Sequence, residues 1–403
     1  MKSSRRSFLE AGLSLPAILN TVPTPTETSQ AKVIATKDSS FDPWVEIHRE
    51  NLRHNVQEIA RRAGGRPILA VIKNNGYGMG VANVAQLLKP QSEIFGFAVV
   101  KFHEAMSLRD AGIRKPVLLM GPFDEKNLEE AAVRSIMPMI YTSMGPALDK
   151  IAAKLQKPIA LHICVDTGIG RVGVPYYQAA PLIHDLASRK SVQIRGTMMT
   201  FAEDMEFDKE QLRRFQETCG ALEKEGIALG KKHAASSFTL FQHPDAFLDM
   251  VRPGMAIYGI YSENEFRRAA VMDLRPAISL KARVAYVKKL RKGDSAGYNR
   301  AYTAMDDVWV ATLPVGHADG WPRMAAKGAK VRINDALFPV IASVSASHCI
   351  VEIGREERVK IGDTATLFDG QQGSRPEDVS EACGASVYDL TMHLNALLPR
   401  RIV

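Results

Sequence analysis

Hydrophobic and polar positions alternate along the chain in two distinct rhythms. Short, almost wholly apolar runs recur at 68–73, 94–100, 116–121, 135–142, 159–166, 192–201, 229–235 and 248–259. Such runs are the pattern of strands buried on both faces, as in a parallel sheet. Between them, segments such as 101–111, 124–134, 145–155, 176–188 and 208–225 carry apolar residues at helical spacing and charges on the opposite side. Eight strands alternating with helices over about 215 residues predict a TIM (β/α)8 barrel, with a doubly wound open sheet as the alternative topology.

At Leu274-Arg275-Pro276 the rhythm changes. Strand patterns follow at 277–289, 308–313, 329–333, 337–345, 348–353 and 364–368, with turns such as Lys292-Gly293-Asp294 and Ile361-Gly362-Asp363, and a helical pattern spans 379–397. This predicts a mainly β C-terminal domain. Ahead of the barrel lie a short strand at 44–47 and a helix over 49–62. The expected organisation is 1–40 as export signal and linker, 41–273 as the barrel and 274–403 as the β domain. The strand at 43–47 is a candidate to pack with the β domain.

Composition narrows the function classes. At 403 residues, 46% hydrophobic and 24% charged, the chain has ordinary globular character and length for two cored domains. Its net charge of +8 is spread over helix faces without a basic stripe interleaved with aromatics, which argues against nucleic acid as a partner. Ser4-Arg5-Arg6-Ser7-Phe8-Leu9, followed by a mildly apolar run from Ala11 to Leu19, reads as a twin-arginine export signal, with cleavage expected after Ser29-Gln30-Ala31. A periplasmic location is expected, with no stable membrane anchor, because the run is too short to span a bilayer. The cysteines at 164, 219, 349 and 383 show no C-x-x-C spacing, and their pairing is open. His348 and Cys349 are adjacent on a strand and point to opposite faces, so no metal site is expected from them.

The chemistry collects where strands end, which is where an α/β barrel places its active site. Lys73 ends the first strand and runs into a turn rich in glycine, Asn74-Asn75-Gly76-Tyr77-Gly78. Asp166-Thr167-Gly168-Ile169-Gly170-Arg171 follows the fifth, Thr200 ends the sixth, and His233-Ala234-Ala235-Ser236-Ser237 ends the seventh. Arg252-Pro253-Gly254-Met255 lies in the eighth. Serines opening a short helix, with a glycine nearby, read as an anion cradle. Any one of these residues is more simply a cap, a turn or a snorkelling lysine. Their joint placement suggests a lysine at the barrel mouth facing a phosphate site, as for pyridoxal phosphate held as a Schiff base.

On these residues the chain resembles the alanine racemase family from Trp44 to Val403. The resemblance is carried by Ala70-Val-Ile-Lys73-Asn-Asn-Gly-Tyr77-Gly, Val165-Asp-Thr-Gly-Ile-Gly-Arg171-Val-Gly, Val251-Arg252-Pro-Gly254, Gly297-Tyr298-Asn-Arg-Ala-Tyr302 and Gly316-His-Ala-Asp-Gly320. It implies a pyridoxal 5'-phosphate enzyme and a homodimer whose active sites are completed by the partner's β domain. Lys73 is then the cofactor lysine and one catalytic base, and Tyr298 of the other subunit the second. Arg252, supported by His233, faces the pyridine nitrogen. Tyr77, Ser237, Gly254 and Tyr388 hold the phosphate, with Met255 also in the cofactor site and Arg171 near the phenolic oxygen.

The departures cluster at the substrate end. Cys164 stands where the family has a modified lysine, and Thr200 where it has a histidine beside the catalytic tyrosine. Ala346 and Ser347 replace a methionine and an aspartate, His317 replaces a tyrosine, Ser236 an asparagine and Met79 a histidine. Arg171, Thr200, Ala346 and Ser347 are therefore the expected substrate contacts. The leading expectation is an amino-acid racemase, with alanine as default substrate and other amino acids possible. Two alternatives stand beside it: a lyase or aldolase on the same fold, as in the D-threonine aldolase and D-serine dehydratase relatives, and a pyridoxal-phosphate-binding pseudoenzyme.

Overall fold

The computed structural model describes residues 40–403; the twin-arginine motif and its cleavage site lie outside them. Seven parallel strands, Ile68–Val71, Ile94–Val99, Val117–Leu119, Ile136–Ile140, Ile159–Asp166, Val192–Met198 and Lys231–His233, pair in sequence order. The ring closes through a short eighth segment. Leu69 N–H donates to the Val251 carbonyl at 2.9 Å, Val71 N–H to that of Pro253 at 2.9 Å, and Val251 N–H to that of Pro67 at 3.1 Å. The structure is thus a barrel rather than a doubly wound sheet.

The eighth strand expected over 248–259 is corrected to this brief pairing. Pro253 has no N–H with which to continue a ladder, and the chain turns at Gly254 into the 3-10 segment Met255–Tyr258. All four of its residues are buried, so an apolar run read as strand is a buried turn.

Strand Trp44–Ile47 belongs to the C-terminal sheet. It pairs antiparallel with Ile278–Arg283 and parallel with Arg400–Ile402. The nine-stranded sheet continues from Ile278–Arg283 through Thr364–Phe368, Lys330–Ile333, Ala336–Ile341, Cys349–Gly354 and Val308–Leu313 to Tyr286–Leu290. The run 277–289 is therefore two strands. The first pairs with Thr364–Phe368 and the second with Val308–Leu313, and the chain changes partner at Val284-Ala285.

The helix expected over 379–397 also divides, into Pro376–Cys383 and Val387–Met392. Gly384 ends the first in the left-handed region at φ 64°, and the Ser386 hydroxyl accepts from the Tyr388 N–H at 3.2 Å to start the second. That break sets Tyr388 at the barrel mouth.

Candidate active site

A cavity of about 560 Å³ opens at the carboxyl ends of the barrel strands. Lys73, Tyr77, Arg171, Thr200, Ser237, Arg252, Gly254, Met255 and Tyr388 all line it, together with Cys164, Glu203 and Ser236. His233 stands behind Arg252, fully buried. Tyr298, Ala346 and Ser347 are exposed and line no part of this chain's cavity.

Lys73 follows the first barrel strand after a single residue, Ile72. The next five residues, Asn74 to Gly78, all hold positive φ, between 53° and 91°. A left-handed turn of this length is costly for asparagine and tyrosine, at about 1–2 kcal/mol per residue. It persists because the surroundings fix it. The buried Glu104 carboxylate accepts from the Asn75 N–H at 2.8 Å and from Lys101 N–H at 3.1 Å. At Gly78 (φ 91°) a Cβ would lie 2.1 Å from the Thr391 carbonyl oxygen, so the turn packs directly on the helix that carries Tyr388. The turn swings Tyr77 beneath Gly254, where a Cβ would meet the Tyr77 hydroxyl at 2.3 Å.

The Ser237 hydroxyl accepts the backbone N–H of Gly254 at 3.0 Å and of Ala256 at 3.1 Å. With its lone pairs occupied, its proton is left to donate into the cavity. The hydroxyls of Tyr77 and Tyr388 have no partner among the described residues and line the same cavity. Three hydroxyls thus face the cavity beside the start of helix Ser237–Gln242, where the Ser236 hydroxyl takes the Thr239 N–H. Burial, with Glu203 and Glu263 nearby, pushes the Tyr388 phenol up to about 12, so it remains a donor.

Arg252 has five N–H donors, and the protein uses four. One terminal nitrogen donates to His233 Nδ1 at 2.9 Å and to the His233 carbonyl at 3.4 Å. The other reaches the Met199 carbonyl at 3.1 Å and Thr200 Oγ1 at 3.4 Å. Only Nε–H remains for a ligand. Behind it, His233 Nε2 meets His162 Nδ1 at 2.9 Å. Since Arg252 can only donate, His233 Nδ1 accepts and its Nε2 carries the proton toward His162. Burial and the Arg252 charge hold both imidazoles neutral, His162 at about 3 and His233 well below its ordinary value. Burial lowers Arg252 too, to about 10, leaving it charged near neutrality.

Burial, then the charges of Arg171 and Arg252, lowers the Lys73 ammonium below its ordinary value, against the pull of Glu104. The Cys164 thiol is pushed up to about 11 by burial, so no anion stands there. Arg171 has no ion-pair or hydrogen-bond partner among the described residues. His348 is exposed while Cys349 is fully buried, and no group of three potential metal-ligating side chains occurs among the described residues.

Three residues of this arrangement escaped the sequence reading. Glu104 reads as a helix surface acid, His162 as a strand core residue and Glu203 as part of a polar loop. The signal for Glu104 is its place three residues into a helix, where an acid can reach back to the chain before it.

These residues fit pyridoxal phosphate. Three hydroxyl donors suit its phosphate, an amine of lowered pKa suits its aldehyde, and a single guanidinium N–H suits a ring nitrogen that accepts.

The family models for the alanine racemase N-terminal and C-terminal domains match residues 47–262 and 277–402. The chain is 31% identical to the alanine racemase of Clostridium tetani over 366 residues, 89% of this chain and 94% of the relative. It is also 31% identical to that of Desulforamulus reducens over 364 residues, 89% of this chain and 98% of the relative. Among solved structures, alanine racemase from Clostridium difficile 630 superposes with a TM-score of 0.83 at 27% identity, over 90% of this chain and 96% of that one. The enzyme from Streptomyces lavendulae does so with a TM-score of 0.85 at 26% identity, over 91% and 98%. With both domains matched in order along a barrel and sheet of this form, the chain belongs to the alanine racemase family, whose enzymes depend on pyridoxal phosphate.

Proposed function

We propose that the protein is an exported homodimeric amino-acid racemase, and that each cavity is completed by the β domain of a second copy. The observation that carries the chemistry is the pairing of a lysine of lowered pKa with an arginine reduced to one free N–H, in one cavity. Bound there, pyridoxal phosphate supplies an electron sink that acidifies the α-hydrogen of an amino acid joined to it. Tyr77, Ser237 and Tyr388 orient its phosphate, while Gly254 and Met255 form the wall beside them. Arg252 presents a donor to the ring nitrogen and so keeps that nitrogen an acceptor. This weakens the sink and favours proton return over bond-breaking side reactions. Arg171, which lines the same cavity, would stand toward the phenolic oxygen and offer its charge to the substrate carboxylate.

Lys73 Nζ, less basic than an ordinary lysine, exchanges the α-proton on one face. Racemisation needs a second proton carrier on the other face. Tyr298 suits that role from a neighbouring subunit: it is 73% exposed, at the tip of the hairpin formed by Ser295–Ala296 and Tyr302–Thr303. Ala346, Ser347 and His317 lie on β-domain loops as well, and would approach a neighbour's cavity with it. No observation favours the lyase or pseudoenzyme readings over this one.

Incubating the holoprotein with single enantiomers tests the reading: conversion to the mirror form supports it. Fractionation of cells expressing the chain and its Arg5→Lys/Arg6→Lys variant tests export, with loss of the periplasmic form expected.

A further inference from the structure

Among the described residues, the loop after the sixth barrel strand carries the only carboxylate that lines the cavity, Glu203. Its backbone lies in the left-handed region at φ 65°, an unfavourable setting for a residue with a Cβ. The loop is fixed from beneath. Gln211 accepts the Ala202 N–H at 2.8 Å and donates to the Thr200 carbonyl at 3.2 Å. The Asp208 carboxylate accepts the Glu203 N–H at 3.1 Å, pairs with His243 at 3.2 Å, and His243 stacks on Phe201. Gln211 and Asp208 are both buried, so this anchorage is part of the core.

Everything holds the Glu203 backbone, and nothing holds its carboxylate. That group has no ion-pair or hydrogen-bond partner among the described residues. Desolvation at the cavity wall, with Asp208 and Glu263, pushes it above its ordinary value and Arg171 opposes them, although the residue as a whole is exposed to solvent. It is an acid at the cavity that shares the lining with the Arg171 charge but forms no ion pair or hydrogen bond with it. A substrate's α-nitrogen cannot serve as its partner, because that atom is joined to the cofactor during reaction. With Arg171 left to the substrate carboxylate, a cationic substrate side chain supplies the counter-charge for Glu203.

We propose that Glu203 makes this cavity selective for amino acids with a cationic side chain, the lysine and arginine class, leaving Arg171 for the α-carboxylate. The inference rests on the racemase reading of the same cavity. Alanine offers Glu203 no charged group, whereas a distal ammonium or guanidinium pairs with it through charge-assisted hydrogen bonds at the cavity rim.

The test compares holoenzyme of the wild type, Glu203→Gln and Glu203→Lys. Racemisation kcat/KM is measured for L-lysine, L-arginine, L-alanine and L-glutamate, and lysine affinity is read from the change in cofactor absorption. Retained cofactor absorption shows that each variant keeps its site. The wild type is expected to favour lysine and arginine over alanine. Glu203→Gln should lower the lysine-to-alanine ratio at least tenfold, about 1.4 kcal/mol, and weaken lysine binding in parallel. Glu203→Lys should move preference toward glutamate. A wild type that prefers alanine, or a Glu203→Gln variant in which all four substrates fall alike, overturns the inference and leaves the racemase reading standing. A cofactor-loaded wild type inert toward all four overturns both.

Discussion

Arg252 shows how little freedom the site leaves a single side chain. Four of its five donors are committed to His233, Met199 and Thr200, and the fifth faces the cavity. Lysine has three donors on a point charge and cannot reproduce that fork. Arg252→Lys is therefore expected to weaken cofactor binding at least tenfold, roughly one bond to a charged donor, and to alter the bound cofactor's absorption; an equilibrium titration with pyridoxal phosphate measures both. Lys73→Ala should abolish turnover and the lysine-bound absorption band, as read by spectrophotometry. The His162–His233 pair behind the arginine links the site to stability. Both are neutral and buried, so their folded values lie below the unfolded value of 6.5, His162 at about 3. The unfolded chain binds more protons in that window. Stability is then full above about pH 6.5 and is lost as pH falls toward 3, at up to about 1.4 kcal/mol per pH unit for each histidine. Urea midpoints between pH 7 and 5 should fall in the wild type and fall less steeply in His162→Gln. Residues such as Lys73 and Arg252 were legible because strand ends in a barrel point at one mouth. His162 and the reach of Glu104 to Asn75 were not, because these partners lie 71 and 29 residues away in sequence, and Glu203 was not, because only the fold sets its loop at the cavity.

The element that decides the site is the left-handed turn after the first barrel strand. Glycine is required at 78 twice over, by φ 91° and by the Thr391 carbonyl 2.1 Å from a built Cβ. Gly78→Ala should cost about 2 kcal/mol or more, combining strain with overlap against backbone. Gly112→Ala is the control: its φ is 73° but nothing lies within 4 Å, so only about 1 kcal/mol of strain is expected. Guanidinium denaturation of the two variants checks the difference. At this scale the alternation of strand and helix was plain in the sequence. The misread strands show that a run of strand-like residues does not record backbone direction. The run 248–259 is buried in a turn after Pro253, and 277–289 changes partners at Val284-Ala285, with its second strand largely exposed. In the last helix, Gly384 and Ser386 together are a stop and a start inside one amphipathic pattern.

At the scale of the molecule, the two halves of the proposed machinery lie apart. Lys73 lines the cavity, whereas Tyr298 stands exposed on the β domain. If neighbouring subunits share sites, Lys73→Ala and Tyr298→Phe chains should each be nearly inactive alone yet complement when co-expressed. Mixed dimers would then hold one intact site, recovering about a quarter of wild-type sites by random pairing under two-fold symmetry. No recovery would contradict shared sites. The barrel and the β domain follow from hydrophobic rhythm alone, but which surfaces meet between copies depends on shape that periodicity does not encode.

The central claim is that this cavity moves an α-proton between the two faces of an amino acid. The most direct measurement incubates the cofactor-loaded protein with pure enantiomers of a broad amino-acid panel in deuterated water, and follows α-hydrogen exchange together with chiral composition. Exchange of the α-hydrogen with approach to a racemate is expected for at least one amino acid, with lysine or arginine foremost. A protein that binds pyridoxal phosphate through Lys73 yet exchanges no α-hydrogen across the panel would contradict the account.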